Sequence, residues 1–381
     1  MVATNASSYQ WSRNGAAIAG ATNSTYYTPA PQVASNAGDT YTVAVSNSTT
    51  TVTSSSATVN INPNSDGSPP AAFWGNTAVL PAATQVMTFS FVNQTNGKYP
   101  DSQVFWSFQG KTNTGVQVNE THSIADAPTY DMPAIQSARM YFYIAPSAAS
   151  IAQNNTSYYD FIEFNIGRSS TTQPWNFNGD TTRVDAFGLK TAIRLNCQDG
   201  TDVQRGEDYG TFLEDRAITF AKYLQEVPTE FVGTTQYAPY RITEPGASGF
   251  GPGGSQEHYF DAYLQEVWTE NGIDTAQVPI PTPFLNFVSN QQPDLSAAVE
   301  RHVAQNAGTF TAAGKLVNGN FWQTISTSTF YQAAPANYYA QFWHAHGIDA
   351  KAYGFPYDDV GGNSSDIGCN NPTYMVVAIG W

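Results

Sequence analysis

The sequence predicts a mainly β protein that contains a helical insert and a small separate β unit at its N-terminus. Short stretches such as Thr40–Ser46 alternate polar and apolar residues, and this period of two is typical of half-buried strands. Of the 381 residues, 14% are aromatic and only 12% are charged, so a large core is expected and general disorder is excluded. Helical spacing of apolar residues is found mainly between residues 201 and 309.

The net charge argues against two classes of partner. The chain has 30 acidic and 15 basic residues, giving −15 at pH 7, which opposes attraction to nucleic acid or an anionic membrane. Its longest apolar runs, such as Met375–Ile379, are too short to span a bilayer. No signal-peptide pattern follows Met1, yet the many uncharged polar residues are typical of secreted proteins that handle polysaccharide. We therefore expect an extracellular protein, and we expect it to be a monomer.

Residues 1–62 form the first predicted domain, with Arg13 and Asp39 as its only charged residues. A turn is expected at Asn14-Gly15, and residues 63–72, rich in Pro, Ser and Asn, predict a linker. The strands expected in this domain are Ser8–Arg13, Ala17–Ile18, Thr40–Ser46 and Thr51–Asn62.

Residues 73–381 form the second predicted domain, a β-sandwich over 73–200 and about 310–381 with a helical insert over about 201–309. Helices are expected over residues 207–227, His258–Asn271 and Asp294–Ala307. The expected strands are Gln85–Val92, Gln103–Phe108, Ala138–Ile144, Tyr158–Asn165, Thr182–Phe187, Thr191–Leu195, Gly314–Val317 and Tyr374–Ile379.

Two carboxylates on these strands are candidate catalytic groups. Alternation places Glu163 on one strand face with aromatic neighbours, where desolvation should raise its pKa as a general acid requires. Asp185 should share a face with Arg183, whose charge would keep it ionised as a general base. Acidic residues on strands usually face solvent, so the pattern alone also fits a structural role.

The first domain resembles bacterial immunoglobulin-like repeats over Tyr9–Thr22 and Ala37–Asn47. The resemblance implies that Trp11 is the core tryptophan of a β-sandwich and that Tyr41 is its corner tyrosine. It begins late, so we expect a partial domain. Such a unit could be a spacer or a glucan-binding accessory.

The second domain resembles glycoside hydrolase family 64, the laminaripentaose-producing β-1,3-glucanases. The motifs that carry the resemblance are Tyr159-Asp160-Phe161-Ile162-Glu163-Phe164, Val184-Asp185-Ala186-Phe187-Gly188-Leu189 and residues 351–362, with weaker matches at 138–142, 241–246 and 259–268. The resemblance implies a thaumatin-like β-sandwich, a mixed helical domain and a wide acidic cleft between them.

The resemblance also implies an inverting hydrolase of β-1,3-glucan, with Glu163 as general acid and Asp185 as general base. The alternative is a thaumatin-like protein that binds β-1,3-glucan without turnover. The residues expected to bind substrate are Asn165, Asp180, Arg183, Tyr353, Tyr357, Asp358, Asp359 and Trp175.

Several of these substrate roles have structural alternatives. Asn165 stands where the family usually has threonine, and residues 173–180 look longer than usual. That stretch could form an additional side of the cleft, in which Trp175 and Asp180 contact sugars, or it could block the cleft. It could also be a surface loop. The block around Asp358 could line the cleft or form a turn.

The cysteines and histidines do not predict a metal or cofactor site. Two cysteines, Cys197 and Cys369, could form one disulfide or remain two buried thiols. His344 and His346 lack an evident third ligand nearby. We therefore expect no metal and no cofactor.

Overall fold

The computed structural model of the protein describes residues 6–26, 39–59, 64–112, 115–271, 331, 334–355, 358 and 364–381. The chain divides into two compact units, Met1–Ser65 and Asp66–Trp381. The predicted linker therefore belongs to the second unit from Asp66 onward. Within that unit the carbonyl oxygen of Gly67 accepts a hydrogen bond from the Tyr209 amide at 2.9 Å.

The described part of the first unit is one five-stranded antiparallel sheet. Its order is β2-β1-β3-β4, and β5 also pairs with β3. Tyr41 and Val43 are buried on β3, while Trp11 is half-buried and its indole nitrogen donates to the carbonyl oxygen of Asn23 at 2.9 Å. The strands are β1 (Ser8–Arg13), β2 (Ala16–Ala17), β3 (Thr40–Ser46), β4 (Thr51–Thr53) and β5 (Ala57–Thr58). The single strand predicted over Thr51–Asn62 is thus two short strands.

The described part of the second unit contains two large sheets and a two-stranded ribbon. The six-stranded sheet has the order β17-β12-β11-β10-β7-β8, the five-stranded sheet has the order β15-β14-β18-β6-β9, and β13 pairs with β16. Their bounds are β6 (Met87–Gln94), β7 (Val104–Thr112), β8 (Gln117–Ser123), β9 (Thr129–Met132), β10 (Ile135–Ile144), β11 (Tyr158–Gly167), β12 (Asn176–Thr181), β13 (Ala186–Phe187), β14 (Lys190–Cys197), β15 (Asp202–Gly206), β16 (Ile242–Thr243), β17 (Ile367–Asn370) and β18 (Pro372–Gly380).

The two large sheets share one hydrophobic core. Phe89 of β6 lies 5.1 Å from Phe164 of β11 between ring centroids, and Phe91 stacks on Trp106 of β7 at 4.8 Å. Cys197 of β14 and Cys369 of β17 form a disulfide between the sheets, across 172 residues. This resolves the alternatives left open by the sequence in favour of the bridge.

Four α-helices accompany the sheets in the described part of the chain: α1 (Tyr209–Leu213), α2 (Arg216–Glu226), α3 (Asp261–Asn271) and α4 (Tyr338–Ala345). The helix predicted over residues 207–227 is two helices, because Asp208 and Asp215 each cap the start of one. The predictions for Asp294–Ala307 and Gly314–Val317 lie outside the described residues. None of the described helices has the length and apolar character needed to span a membrane.

Short 3-10 helices occur between these elements, at Ala71–Trp74, Thr77–Val79, Asp101–Gln103, Ala148–Ser150, Thr229–Thr235, Pro245–Ala247 and Ile348–Ala350. A second core lies between α2, α4 and the ribbon. There Phe187 stacks on Trp343 at 4.7 Å, and Tyr223 meets Phe342 edge-on at 5.1 Å.

Candidate active site

Glu163 lies near the middle of the six-stranded sheet, on the face opposite the core. Its strand neighbours Ile162 and Phe164 are buried in the core, so the alternation predicted from the sequence is observed. The register places Arg139 of β10 on one side of Glu163 and Asp180 of β12 on the other. Residues opposite one another in a sheet share a face, so these three side chains form one polar row across it.

The polar row opens into a groove. The groove encloses about 630 Å³ and is lined by Ser137, Ala138, Arg139, Glu163, Phe164, Asn165, Asn178, Gly179, Asp180, Tyr353, Ser364 and Asp366. A second cavity of about 590 Å³ shares Ser137 and Asn165 with it, so the two are adjacent. The predicted site residues Glu163, Asn165, Asp180 and Tyr353 are therefore brought together along one groove.

Arg139 is the closest charged neighbour of Glu163. Its Nε donates to the Glu163 carboxylate at 2.6 Å, and both side chains remain partly exposed, at 45% and 36%. The guanidinium also lies over the Phe161 ring, 4.7 Å from its centroid. Sequence reasoning did not select Arg139 as a site residue, because its proximity to Glu163 depends on strand register rather than on spacing along the chain.

The neighbouring positions of the groove are fixed by local hydrogen bonds. Asn165 accepts from the Ser137 amide at 2.7 Å, where β10 contains a bulge and Ser137 has φ +49°. Asn178, opposite Asn165, donates to Asp366 at 2.9 Å. Gly179 lies so close to β11 that a Cβ would approach the carbonyl oxygen of Glu163 to 2.6 Å, so only glycine fits there.

Residues 173–180 are not a simple loop. From Asn176 onward they form β12, which joins β11 to β17 within the sheet. Trp175 is half-buried just before this strand, and the Arg168 guanidinium lies 4.2 Å from its ring centroid. Arg168, Gln173 and Asn176 line the second cavity, so this segment borders the groove.

Asp185 lies outside the lining of this groove. Only Ala186–Phe187 of the predicted strand Thr182–Phe187 is a strand, and Asp185 lies in an exposed bend just before it. Its carbonyl oxygen accepts from the Glu244 amide at 3.0 Å. Its negative charge also contributes to the raised pKa of Tyr159, which burial raises most strongly. Tyr159 is on the same strand and face as Glu163, four residues earlier.

Arg183 is buried, so its predicted contact with substrate is wrong, as is its predicted position beside Asp185. Its guanidinium lies 2.6 Å from a carboxylate oxygen of Glu207 and 3.0 Å from one of Asp160. Burial acts to lower the pKa of Arg183, but these two carboxylates outweigh it and raise the pKa. The Arg183 side chain points inward to Asp160 and Glu207, so the alternation of exposed and buried side chains predicted over Thr182–Phe187 is not observed.

Asp358 is also fully buried, which contradicts its predicted contact with substrate. It accepts from the Gly354 amide and pairs with His344 Nε2, each at 2.8 Å, so it orders the local turn. Tyr357 and Asp359 lie outside the described residues. Within the described ranges, no group of three or more His, Cys, Asp or Glu side chains is placed to hold a metal.

Comparison with known proteins identifies the family. The sequence profile of glycoside hydrolase family 64, described as β-1,3-glucanase, matches residues 82–280 and 286–379. No curated protein matches the chain significantly.

Solved structures share the fold. One is the laminaripentaose-producing β-1,3-glucanase of Paenibacillus barengoltzii, at 24% identity and a TM-score of 0.63, covering 100% of this chain and 95% of that one. The same enzyme complexed with laminarihexaose matches at 23% identity and a TM-score of 0.64, with the same coverage. A family 64 domain from Clostridium beijerinckii matches at 21% identity and a TM-score of 0.64, covering 79% and 100%. Because the profile matches well over half of its residues, the chain belongs to glycoside hydrolase family 64, the β-1,3-glucanases.

Proposed function

We propose that the chain hydrolyses β-1,3-glucan with inversion at the anomeric carbon, using Glu163 as general acid and Asp185 as general base. The observation that carries the proposal is the position of Glu163 within a long polar groove of a family 64 protein. A groove open along a sheet suits an extended polysaccharide chain, whose many hydroxyl groups need polar partners.

In this mechanism Glu163 gives its proton to the leaving glycosidic oxygen. Arg139 then stabilises the carboxylate that remains, because its Nε already lies 2.6 Å from that group. Asp185 takes a proton from a water molecule that attacks the anomeric carbon from the opposite face. An inverting pair requires carboxyl groups about 6.5–9.5 Å apart, which leaves room for that water.

Substrate contacts are proposed for the groove residues Asn165, Asp180 and Tyr353, and for Trp175 at the border of the second cavity. The first three line the groove of Glu163, and we propose that the half-buried ring of Trp175, between Pro174 and Asn176 of the second cavity's lining, stacks against a sugar. Tyr357 and Asp359 remain proposed substrate residues from the resemblance alone. The laminarihexaose complex of the Paenibacillus enzyme supports β-1,3-linked oligosaccharides as the ligand class.

The remaining proposals concern the setting of the enzyme. We propose a secreted monomer, and the disulfide supports the secreted location because such bonds persist in oxidising compartments. We also propose that the thaumatin-like and immunoglobulin-like descriptions apply to the two units.

The test is the pair of variants Glu163→Gln and Asp185→Asn. Loss of either proton-transfer group should lower kcat on laminarin by about 10²–10⁴-fold, while laminarin binding stays within about threefold of the original. Glu230→Gln, which changes an exposed glutamate on a 3-10 helix, is the matched control and should keep full activity. Unchanged kcat in Glu163→Gln would refute its role, and an unaltered protein that binds laminarin without turnover would favour the binding-protein alternative.

A further inference from the structure

We propose that Glu244 is a second carboxyl group that holds the attacking water together with Asp185. The inference rests on the proposed role of Asp185 as general base. The sequence places Glu244 in the weaker family match at residues 241–246 but gives it no role, and its proximity to Asp185 depends on the pairing of β13 with β16.

The pairing places the two residues next to each other. Ala186 pairs with Thr243 and Phe187 pairs with Ile242 in the antiparallel ribbon of β13 and β16. One position outward, beyond the last pair of the ribbon, the Glu244 amide donates to the Asp185 carbonyl oxygen at 3.0 Å, so the two residues lie next to each other at the ribbon end. The negative charge of Asp185 also acts on the Glu244 carboxyl group, so the two side chains are near enough to interact. We place the attacking water between these two neighbouring carboxyl groups.

Glu244 is also held in a defined orientation. It precedes the 3-10 helix Pro245–Ala247, and its Oε2 accepts from the Gly246 amide at 2.5 Å. This bond holds one carboxyl oxygen against the backbone, and Oε1 is the oxygen that we propose binds the water. The hydrogen bond from the Gly246 amide therefore keeps the Glu244 side chain at the end of the ribbon.

The surroundings favour a proton on Glu244 near neutral pH. Burial is the main cause that raises the pKa of Glu244 to about 7, and the negative charge of Asp185 raises it further. Hydrogen bonds from the Gly246 and Ala247 amides act in the opposite direction. Among the described residues, Tyr339 of α4 also interacts with Glu244, and it stays neutral because burial raises its own pKa. Below about pH 7 the ribbon end thus presents a protonated Glu244 beside Asp185.

This combination suits a water molecule about to attack. The water donates one hydrogen to Asp185 and accepts a hydrogen bond from Oε1–H of Glu244, which leaves a second lone pair for the anomeric carbon. As that oxygen–carbon bond forms, the glycosidic bond breaks, Asp185 takes the water proton and Glu163 protonates the leaving oxygen. When Glu244 is ionised and position 185 cannot accept a proton, Glu244 can take the water proton instead.

The test compares Asp185→Asn with the double variant Asp185→Asn/Glu244→Gln. The substrate is a laminari-oligosaccharide with a 2,4-dinitrophenyl leaving group, which departs without protonation and removes the dependence on Glu163. Because Glu244 ionises as the pH rises, the residual kcat of Asp185→Asn should increase from pH 5 to a plateau by pH 8. At pH 8 it should exceed that of the double variant by at least about tenfold.

Controls separate the possible failures. Gln keeps a carbonyl oxygen for the Gly246 amide, so the double variant should fold, and matching urea unfolding curves with Asp185→Asn check this. Asp185→Asn/Glu230→Gln should keep the residual rate, since Glu230 is exposed on another element. Equal rates of Asp185→Asn and Asp185→Asn/Glu244→Gln at every pH would overturn the inference while leaving the proposed function intact. Full activity in Asp185→Asn would overturn the base assignment and, with it, the inference.

Discussion

Glu163 and Asp185 lie in regions of the second unit that are built in different ways. Glu163 lies within the ten-residue strand β11, paired on both sides by other strands of the sheet. Asp185 lies in an exposed bend, and the segment before it is held by the buried side chain of Arg183. Each region contains an arginine paired with carboxylate, but one pair is open to solvent and the other is enclosed.

The difference separates two ways of positioning a reactive group. Local alternation along a regular strand determines the face on which Glu163 lies. Its orientation therefore does not depend on the ion pair with Arg139, so that pair can take part in catalysis while contributing little to the free energy of unfolding. The bend that contains Asp185 has no regular alternation of buried and exposed side chains. Its geometry depends on a charge network whose members come from β11, the bend and the residue after β15.

The largest effect is expected for the disulfide that joins the two sheets. Replacing both Cys197 and Cys369 with serine should lower the free energy of unfolding by about 5 kcal/mol, because the bond closes a loop of 172 residues. Urea unfolding followed by tryptophan fluorescence measures this, and a reductant should destabilise the original protein but not the variant. A change below about 1 kcal/mol would mean that the sheet around Glu163 is held without the bridge.

The two arginines provide the sharpest comparison. Arg183→Met should lower the free energy of unfolding by about 3–5 kcal/mol, since it leaves Asp160 and Glu207 buried without their cation. Arg139→Gln should lower it by no more than about 1 kcal/mol, because its pair with Glu163 is partly exposed. Both are measured by urea unfolding at pH 7. Equal losses from the two variants would contradict the distinction between the regions.

The smallest effect is expected for removal of the first unit. A chain beginning at Asp66 keeps the hydrogen bond between Gly67 and Tyr209 and should retain kcat/KM on soluble laminarin within about twofold. A loss of about tenfold or more would show that residues 1–65 contribute to substrate binding and are not a spacer.

The sequence predicted the regular parts of the fold well because their signals are local. Ser8–Arg13 and Thr40–Ser46 were predicted at their observed bounds, and the strand carrying Glu163 was predicted to within two residues. Alternation in these segments is a property of consecutive residues, so no knowledge of partners was needed. The mainly β class followed from the same signals.

The parts that could not be predicted depend on distant partners. Residues 173–180 have no strand pattern in the sequence, and a surface loop is one interpretation of them. Residues Asn176–Thr181 form strand β12 because they pair with β11 on one side and β17 on the other. Strand alternation predicts that the Arg183 side chain lies beside Asp185. In the structure it points into the core and donates to Glu207, which lies 24 residues away in the sequence. The proximity of Glu244 to Asp185 cannot be predicted, because pairing between two-residue strands produces no periodic pattern in the sequence.

The central claim is inverting hydrolysis by Glu163 and Asp185, and the anomeric form of the first product tests it most directly. Laminarin would be incubated with the full chain, and the new reducing ends followed by proton NMR before mutarotation. Short β-1,3-oligosaccharides released first as the α-anomer are the expected result. Release of the β-anomer would contradict the account, because it requires a nucleophile in place of the base assigned to Asp185.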